Sequence, residues 1–148
     1  MQIYMAGPLF TPYERAFIDQ GAVLFRSQGF DCFVPHEQGF DEMTVTADEV
    51  FRKDLAGLDA ASAVVALLDG CMVDDGTACE VGLFYGLMQH DRSRKGIIGV
   101  VTDTRAQRPR HNLEGKGVNL YVLGLIEAVG ELVSSYEQCL PILTRWSL

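Results

Sequence analysis

Ala63-Val64-Val65-Ala66-Leu67-Leu68 runs without a polar break, and Asp74-Asp75-Gly76-Thr77-Ala78-Cys79-Glu80-Val81-Gly82 follows close behind it. A short apolar run with no alternation reads as a strand buried on both faces of a parallel sheet. The second stretch opens an amphipathic helix. In sheets of this kind small molecules bind where the strands end and the next helices begin. Counting Asp69, the chain sets several carboxylates at that edge. Such crowding suits acid/base or nucleophilic chemistry on something neutral or electron-poor, and argues against a phosphate cradle.

The same alternation of apolar run and helical pattern continues in both directions, as α/β folds require. Upstream, Ile3-Tyr4-Met5-Ala6 is a first strand, stopped by Gly7-Pro8. Thr11-Pro12-Tyr13-Glu14 is a capping box with proline at the first helical position. Its helix carries Phe17, Ile18, Leu24 and Phe25 at helical spacing and ends at Gly29. Phe30 to Val34 reads as a second strand, and His36 to Val45 as a loop beside the ligand edge. Thr46-Ala47-Asp48-Glu49 is a second capping box, with Phe51, Leu55 and Leu58 as the apolar stripe of the helix it starts. The helix after the central strand spans about Gly76 to Gln89.

Downstream, Arg92-Ser93-Arg94-Lys95 reads as a solvated turn at the opposite edge, followed by a fourth strand from Gly96 to Val101. The stretch from Thr102 to Lys116 is polar and arginine-rich. A helix from about Asn119 to Ala128, a short strand near Leu132-Val133 and a last helix opening near Ser134 or Ser135 complete the pattern. The expectation is one domain over residues 1–148: a flavodoxin-like (Rossmann-like) sheet of five parallel strands with helices on both faces.

With 148 residues, 48% of them hydrophobic and 22% charged, the chain has the composition of an ordinary globular domain with a real core. Its net charge of -8 disfavours a nucleic-acid backbone as partner. No apolar run approaches a membrane span, and the first strand leaves no room for a signal pattern. Cys32, Cys71, Cys79 and Cys139 form no CxxC pair, so reduced, mostly buried thiols in a cytoplasmic protein are expected. His36, His90 and His111 lack metal-ligand spacing and read as surface histidines. GxGxxG, GxxxxGK[ST] and GxSxG are all missing.

Glu80 stands at the edge of the buried stripe of its helix. A glutamate near a helix start also suits the dipole while facing solvent. The small residues Gly76, Thr77 and Ala78 leave room for a ligand to approach the backbone. One of Asp74 and Asp75 can cap the helix, which leaves the other spare. Asp54 borders the face that docks on the sheet, where an acid needs a partner or a purpose. Tyr4, inside a buried strand, is either a core tyrosine with a satisfied hydroxyl or a group delivered to the ligand edge.

These residues resemble the nucleoside 2-deoxyribosyltransferase family. Ile3-Tyr4-Met5-Ala6-Gly7-Pro8-Leu9-Phe10 is similar to its first strand and loop, and Asp74 to Gly82 resembles its central D-x-G-T-A-x-E-x-G motif. Asp103-Thr104-Arg105 and Gly117-Val118-Asn119-Leu120 resemble its late segments. The resemblance implies that Glu80 attacks the anomeric carbon, that Tyr4 orients it, and that Asp54 and Asp74 contact the nucleobase and shuttle its proton. It further implies substrate contacts by Gly7, Phe10 and Gly76. Asn119 would reach the sugar's 5′-hydroxyl from a neighbouring subunit, so that active sites are shared in a homodimer or larger homo-oligomer. The activity implied is exchange of the base on a 2′-deoxyribonucleoside with a free nucleobase, with no metal or organic cofactor, in nucleotide salvage.

Chemical logic agrees: a carboxylate can trap the oxocarbenium-like centre formed when an N-glycosidic bond breaks, and the departing base needs a proton. An N-glycosidase would use the same site with water as acceptor. Relatives that hydrolyse deoxynucleoside 5′-monophosphates hold phosphate with serines and a polar first loop, where this chain has Gly7-Pro8-Leu9-Phe10. Arg105, Arg108 and Arg110 keep a nucleotide substrate open. A non-catalytic nucleoside- or nucleotide-binding sensor module is the competing reading of another class. Cys79, at the variable position of the motif, leaves base preference open.

Overall fold

Burial around the central run decides the architecture. The computed structural model describes residues 1–39, 44–107 and 117–148. Every residue of β3 (Ala63–Leu67) and of β4 (Gly96–Val100) is buried, as strands covered on both faces must be. They lie inside a five-stranded parallel sheet with β1 (Gln2–Ala6), β2 (Asp31–Phe33) and β5 (Glu131–Val133), in the order β2-β1-β3-β4-β5. The helices are α1 (Pro12–Ser27), α2 (Ala47–Ala60), α3 (Asp75–His90), α4 (Leu120–Val129) and α5 (Cys139–Ser147). The expected flavodoxin-like sheet is what the chain forms.

Strand alternation sorts the core into two layers. Ile3 and Met5 pack with Ile18 and Phe25 of α1 and Leu143 of α5. Tyr4 and Ala6 point to the other face, among Leu58 of α2, Val81 and Phe84 of α3, and Ile126 of α4. Tyr4 therefore belongs to the layer that α2 and α3 cover. The build direction reverses between β1 and β3, which pair directly with Tyr4 opposite Val64. The carboxyl ends of those two strands flank the switch-point crevice where such sheets bind ligands.

Helix starts follow the sequence, with differences. The Thr11–Glu14 capping box closes in both directions. Thr46 accepts from the Glu49 amide at 3.2 Å, but the Glu49 carboxylate pairs with Lys53 instead. The last helix begins at Cys139, not at Ser134 or Ser135. The Ser134 amide and hydroxyl both donate to Gln138 Oε1, at 2.9 and 3.2 Å, and this local turn competes with helix. Short 3₁₀ turns form at Pro35–Glu37 and Thr104–Gln107.

Arg94 is not part of a solvated turn. Its side chain is only 7% exposed. The guanidinium donates to the carbonyls of Leu58, Asp59 and Ala61, at 2.9, 2.9 and 2.8 Å, and lies 5.4 Å from the Phe84 ring centre. It satisfies the orphan carbonyls at the end of α2 and ties that end to α3. Two further expectations are corrected here. Cys139 is buried and Cys32 half-buried, but Cys71 and Cys79 are exposed, because one sits in the loop after β3 and the other on the open flank of α3. His36 is largely covered, its Nε2 2.7 Å from Asp19 Oδ1. His111 lies outside the described residues. No described helix is long and apolar enough to cross a membrane.

Arg94→Met keeps the aliphatic stem and removes the side-chain donor from the carbonyls of Leu58, Asp59 and Ala61, of which Leu58 keeps the Ala61 amide. It should lower unfolding free energy by about 2–4 kcal/mol, read as the shift in urea denaturation midpoint at constant slope.

Candidate active site

Two helical stripes face each other across the switch-point crevice. Phe51, Asp54, Leu55 and Leu58 of α2 and Gly76, Cys79, Glu80 and Leu83 of α3 both follow the i, i+3, i+4, i+7 pattern of one helix face. Together they line a slot of about 190 Å³. That is smaller than the roughly 300–1,000 Å³ of pockets for drug-sized ligands, and suits one ring system better than a larger molecule. Its wall is carbon and sulfur apart from two carboxyl groups, those of Asp54 and Glu80.

Glu80 reaches inward. The fully buried Tyr4 donates its hydroxyl to Glu80 Oε1 at 2.5 Å. The tyrosine is itself fixed by Phe33, stacked on it at 5.2 Å between ring centres with planes 14° apart. Phe33 can lie there because Gly57 of α2 has no side chain: a Cβ would stand 2.6 Å from the Phe33 ring. β1, β2 and α2 thus jointly aim one hydroxyl at one carboxylate.

Burial pushes the Glu80 carboxyl from its ordinary 4.5 up to about 8; the Tyr4 hydrogen bond opposes this, and the charges of Asp54 and Asp74 reinforce it. Burial likewise raises Asp54, with the nearby Tyr4 hydroxyl pulling partly the other way. Asp54 Oδ1 is buried without a hydrogen-bond partner among the described residues. Burial and the neighbouring Glu80 drive the Tyr4 pKa far upward, so its hydroxyl stays protonated as a donor. Two acids pressed toward the neutral form in one cleft are a functional-site signature.

Asp74 is the N-cap of α3. Its Oδ2 accepts from the Thr77 amide and hydroxyl, both at 2.9 Å. Asp75 is the spare one, bonded only to the Gly76 amide at 2.8 Å. A Cβ on Gly76 would sit 3.3 Å from Asp74 Oδ2, so a side chain there would press on the cap.

Of the residues singled out from sequence, Tyr4, Asp54, Asp74, Gly76 and Glu80 converge on this crevice. Gly7, Phe10 and Asn119 do not line the slot. The bare Gly7 answers to packing, since a Cβ would come within 2.9 Å of Ile18 and 3.0 Å of Leu67. Phe10 is 79% exposed. Asn119 caps α4, its Oδ1 accepting from the amides of Tyr121 at 2.9 Å and Val122 at 3.3 Å. Sequence reading missed the slot wall: Phe51, Leu55 and Leu83 looked like core, and Cys79 stood out only as the variable position of the motif. The signal was available in the matched spacing of the two stripes. No group of metal-ligating side chains occurs among the described residues.

Residues 3–126 match the sequence model of the nucleoside 2-deoxyribosyltransferases. The chain belongs to that family. An uncharacterized protein of Ureaplasma parvum is 30% identical over 135 residues, 83% of this chain and 84% of that one. Among solved structures, a conserved protein from Enterococcus faecalis superposes with a TM-score of 0.79 at 26% identity, covering 98% of both chains. A 2-deoxyribosyltransferase from Leishmania mexicana gives 0.72 at 22% identity over 99% of both. A CMP N-glycosidase from Clostridium botulinum gives 0.59 at 14% identity, also over 99% of both. The last two likenesses establish the fold of this deoxyribosyltransferase family member and nothing finer.

Because the folded protein holds the Glu80 proton more tightly than the unfolded chain does, its stabilising effect is complete below about 4.5 and is lost as pH rises through about 8. Glu80→Gln removes the buried ionisation. Its Tm should exceed the parent's by about 3 °C or more at pH 9 and by much less at pH 5, measured by calorimetry.

Proposed function

We propose that the protein transfers 2-deoxyribose between nucleobases through a glycosyl ester on Glu80. The observation that carries the reading is the Tyr4-held carboxylate of Glu80 in an apolar slot shared with a second acid, Asp54, one of whose buried oxygens has no hydrogen-bond partner among the described residues. In this reading the base lies in the slot and the sugar at its mouth. Glu80 Oε2, the oxygen Tyr4 does not hold, forms a bond to C1′ as the C1′–N bond breaks. The electron pair of that bond goes to the departing base, which takes a proton from Asp54, with Asp74 assisting at the cap. An incoming base nitrogen then attacks C1′, displaces the Glu80 carboxylate and returns its own proton to Asp54.

The raised pKa of Glu80 has a consequence for this scheme. The attacking form needs an ionised Glu80 and a protonated Asp54, which is one proton shared between two acids. Transfer should therefore peak while the pair holds one proton, and decline on the alkaline side near pH 8 as that proton is lost.

Arg105 supports a nucleoside over a nucleotide. Its guanidinium is buried and engaged by Asp103 and the Leu68 carbonyl, a structural role that leaves it poorly placed to serve as a phosphate ligand. Arg108 and Arg110 lie outside the described residues. The 5′-hydroxyl is assigned to Asn119 of a neighbouring subunit, completing a site that has no sugar-binding group of its own in the slot. An apolar groove of about 350 Å³ beside Asn119, lined by Tyr85, Leu120, Tyr121, Gly124, Leu125 and Ala128, supports a second copy seated there, and Tyr121 is 78% exposed.

The test is deoxyinosine offered with and without adenine, followed by chromatography. New deoxyadenosine is the expected product, with the rate falling about 10³-fold or more in Glu80→Ala. Hypoxanthine released equally with and without adenine would make the protein an N-glycosidase instead. Parental exchange by Glu80→Ala would overturn the reading.

A further inference from the structure

Asp69 and Asp103 stand at the carboxyl ends of β3 and β4, at the ligand edge, yet both spend their oxygens on neighbouring groups of the protein. Asp69 Oδ1 accepts from the amides of Thr102 at 2.7 Å and Asp103 at 3.3 Å, and its Oδ2 from the Thr102 hydroxyl. Asp103 Oδ2 reaches back to the Gly70 amide at 3.1 Å. Arg105 closes the bracket. Its Nε lies 2.9 and 3.1 Å from the two Asp103 oxygens, and its Nη2 donates to the Leu68 carbonyl. Leu68, Asp69 and Gly70 are thus each tied to the segment 102–105: Leu68 by the Arg105 guanidinium, and the other two through the carboxylates of Asp69 and Asp103. Arg105 is 7% exposed.

We propose that Arg105 is a positioning residue for Glu80. Between Gly70 and the Asp74 cap lie only Cys71, Met72 and Val73, too short a span to absorb a shift at the end of β3. The first two are exposed, with Met72 75% accessible, so packing does little to hold them. Where the bracket sets Gly70, α3 must begin, and the start of α3 sets where Glu80 meets Tyr4. Although burial alone would raise Asp103, the hydrogen bonds from Arg105 and Gly70 hold its carboxyl below the ordinary range. Loss of the guanidinium therefore removes the strut to Leu68 and the cation that holds the Asp103 carboxylate in place.

The consequence at Glu80 is specific. The groups that act on it are Tyr4 from β1, Asp54 from α2 and Asp74 from the start of its own helix. Burial raises its pKa most and Tyr4 lowers it, so a helix start that slips away from β1 changes both and moves the Glu80 titration. The positioning itself is read from the hydrogen bonds of the bracket; its effect on turnover rests on the transferase reading.

Arg105→Met is compared with the parent by carbon-13 NMR titration of Glu80 and by amide exchange at Thr77, whose N–H is held by Asp74. The Glu80 midpoint should move away from the parent's and Thr77 exchange should speed up about tenfold. In the transfer assay kcat should drop about 10- to 100-fold with KM changed little, and Arg105→Lys should recover part of the loss. Should Arg105→Met not fold, Asp103→Asn, which keeps the shape and removes one charge, is read the same way. A folded variant with the parent's Glu80 titration and Thr77 exchange would overturn the proposal. Both measurements are made without turnover, so a parent with no transfer activity would sink the enzymatic reading and leave this one decided on its own data.

Discussion

One hydrogen bond organises this molecule: the Tyr4 hydroxyl to Glu80 Oε1, 2.5 Å long and joining residues 76 apart in the chain. It bridges β1 and α3 across the switch point of the sheet, and neither partner could be there without the fold around it. The alternation of β1 turns Tyr4 toward α2 and α3. Phe33 stacks on its ring, Gly57 makes room for Phe33, and Arg94 anchors the end of the helix that carries Gly57. Each of these contacts looks like packing in isolation. Together they locate one oxygen.

Physical effects compete at that oxygen. Water exclusion and the neighbouring acids raise the Glu80 pKa, while the tyrosine hydroxyl lowers it. Burial wins, and the carboxyl ends up near 8 and not in the ordinary carboxylate range. Such a group burdens folding at alkaline pH, which a protein tolerates where an active group is needed. Asp54, one of whose buried oxygens has no partner among the described residues, adds a second unfavourable group on the facing wall. Two buried acids facing each other across one slot make a ligand the simplest explanation of it.

Much of this was legible in the sequence. The unbroken apolar run at Ala63 fixed a parallel sheet, and the spacing of small residues before Glu80 flagged a site. What was not legible depended on contacts between distant segments. Arg94 sits in a charged tetrapeptide that local pattern reads as a turn, and only the carbonyls at the end of α2, more than thirty residues away, bury it. Asp69 looked like a ligand-edge acid because sequence cannot show that it binds the backbone beside Asp103, while Asp103 binds the backbone beside it. The start of α5 slipped to Cys139 because Ser134 found a side-chain acceptor in Gln138. Tyr4 was ambiguous between core and site, and it is both: fully buried, with its hydroxyl on the nucleophile candidate.

The account rests on Glu80 forming a bond to sugar. Rapid acid quench of the protein mixed with a 2′-deoxynucleoside, followed by peptide mass spectrometry, tests this directly. The account predicts that the peptide containing Asp74 to Gly82 gains the mass of one deoxyribosyl group, that fragmentation puts it on Glu80, and that added nucleobase discharges it. Turnover under the same conditions with that peptide unmodified throughout would contradict it.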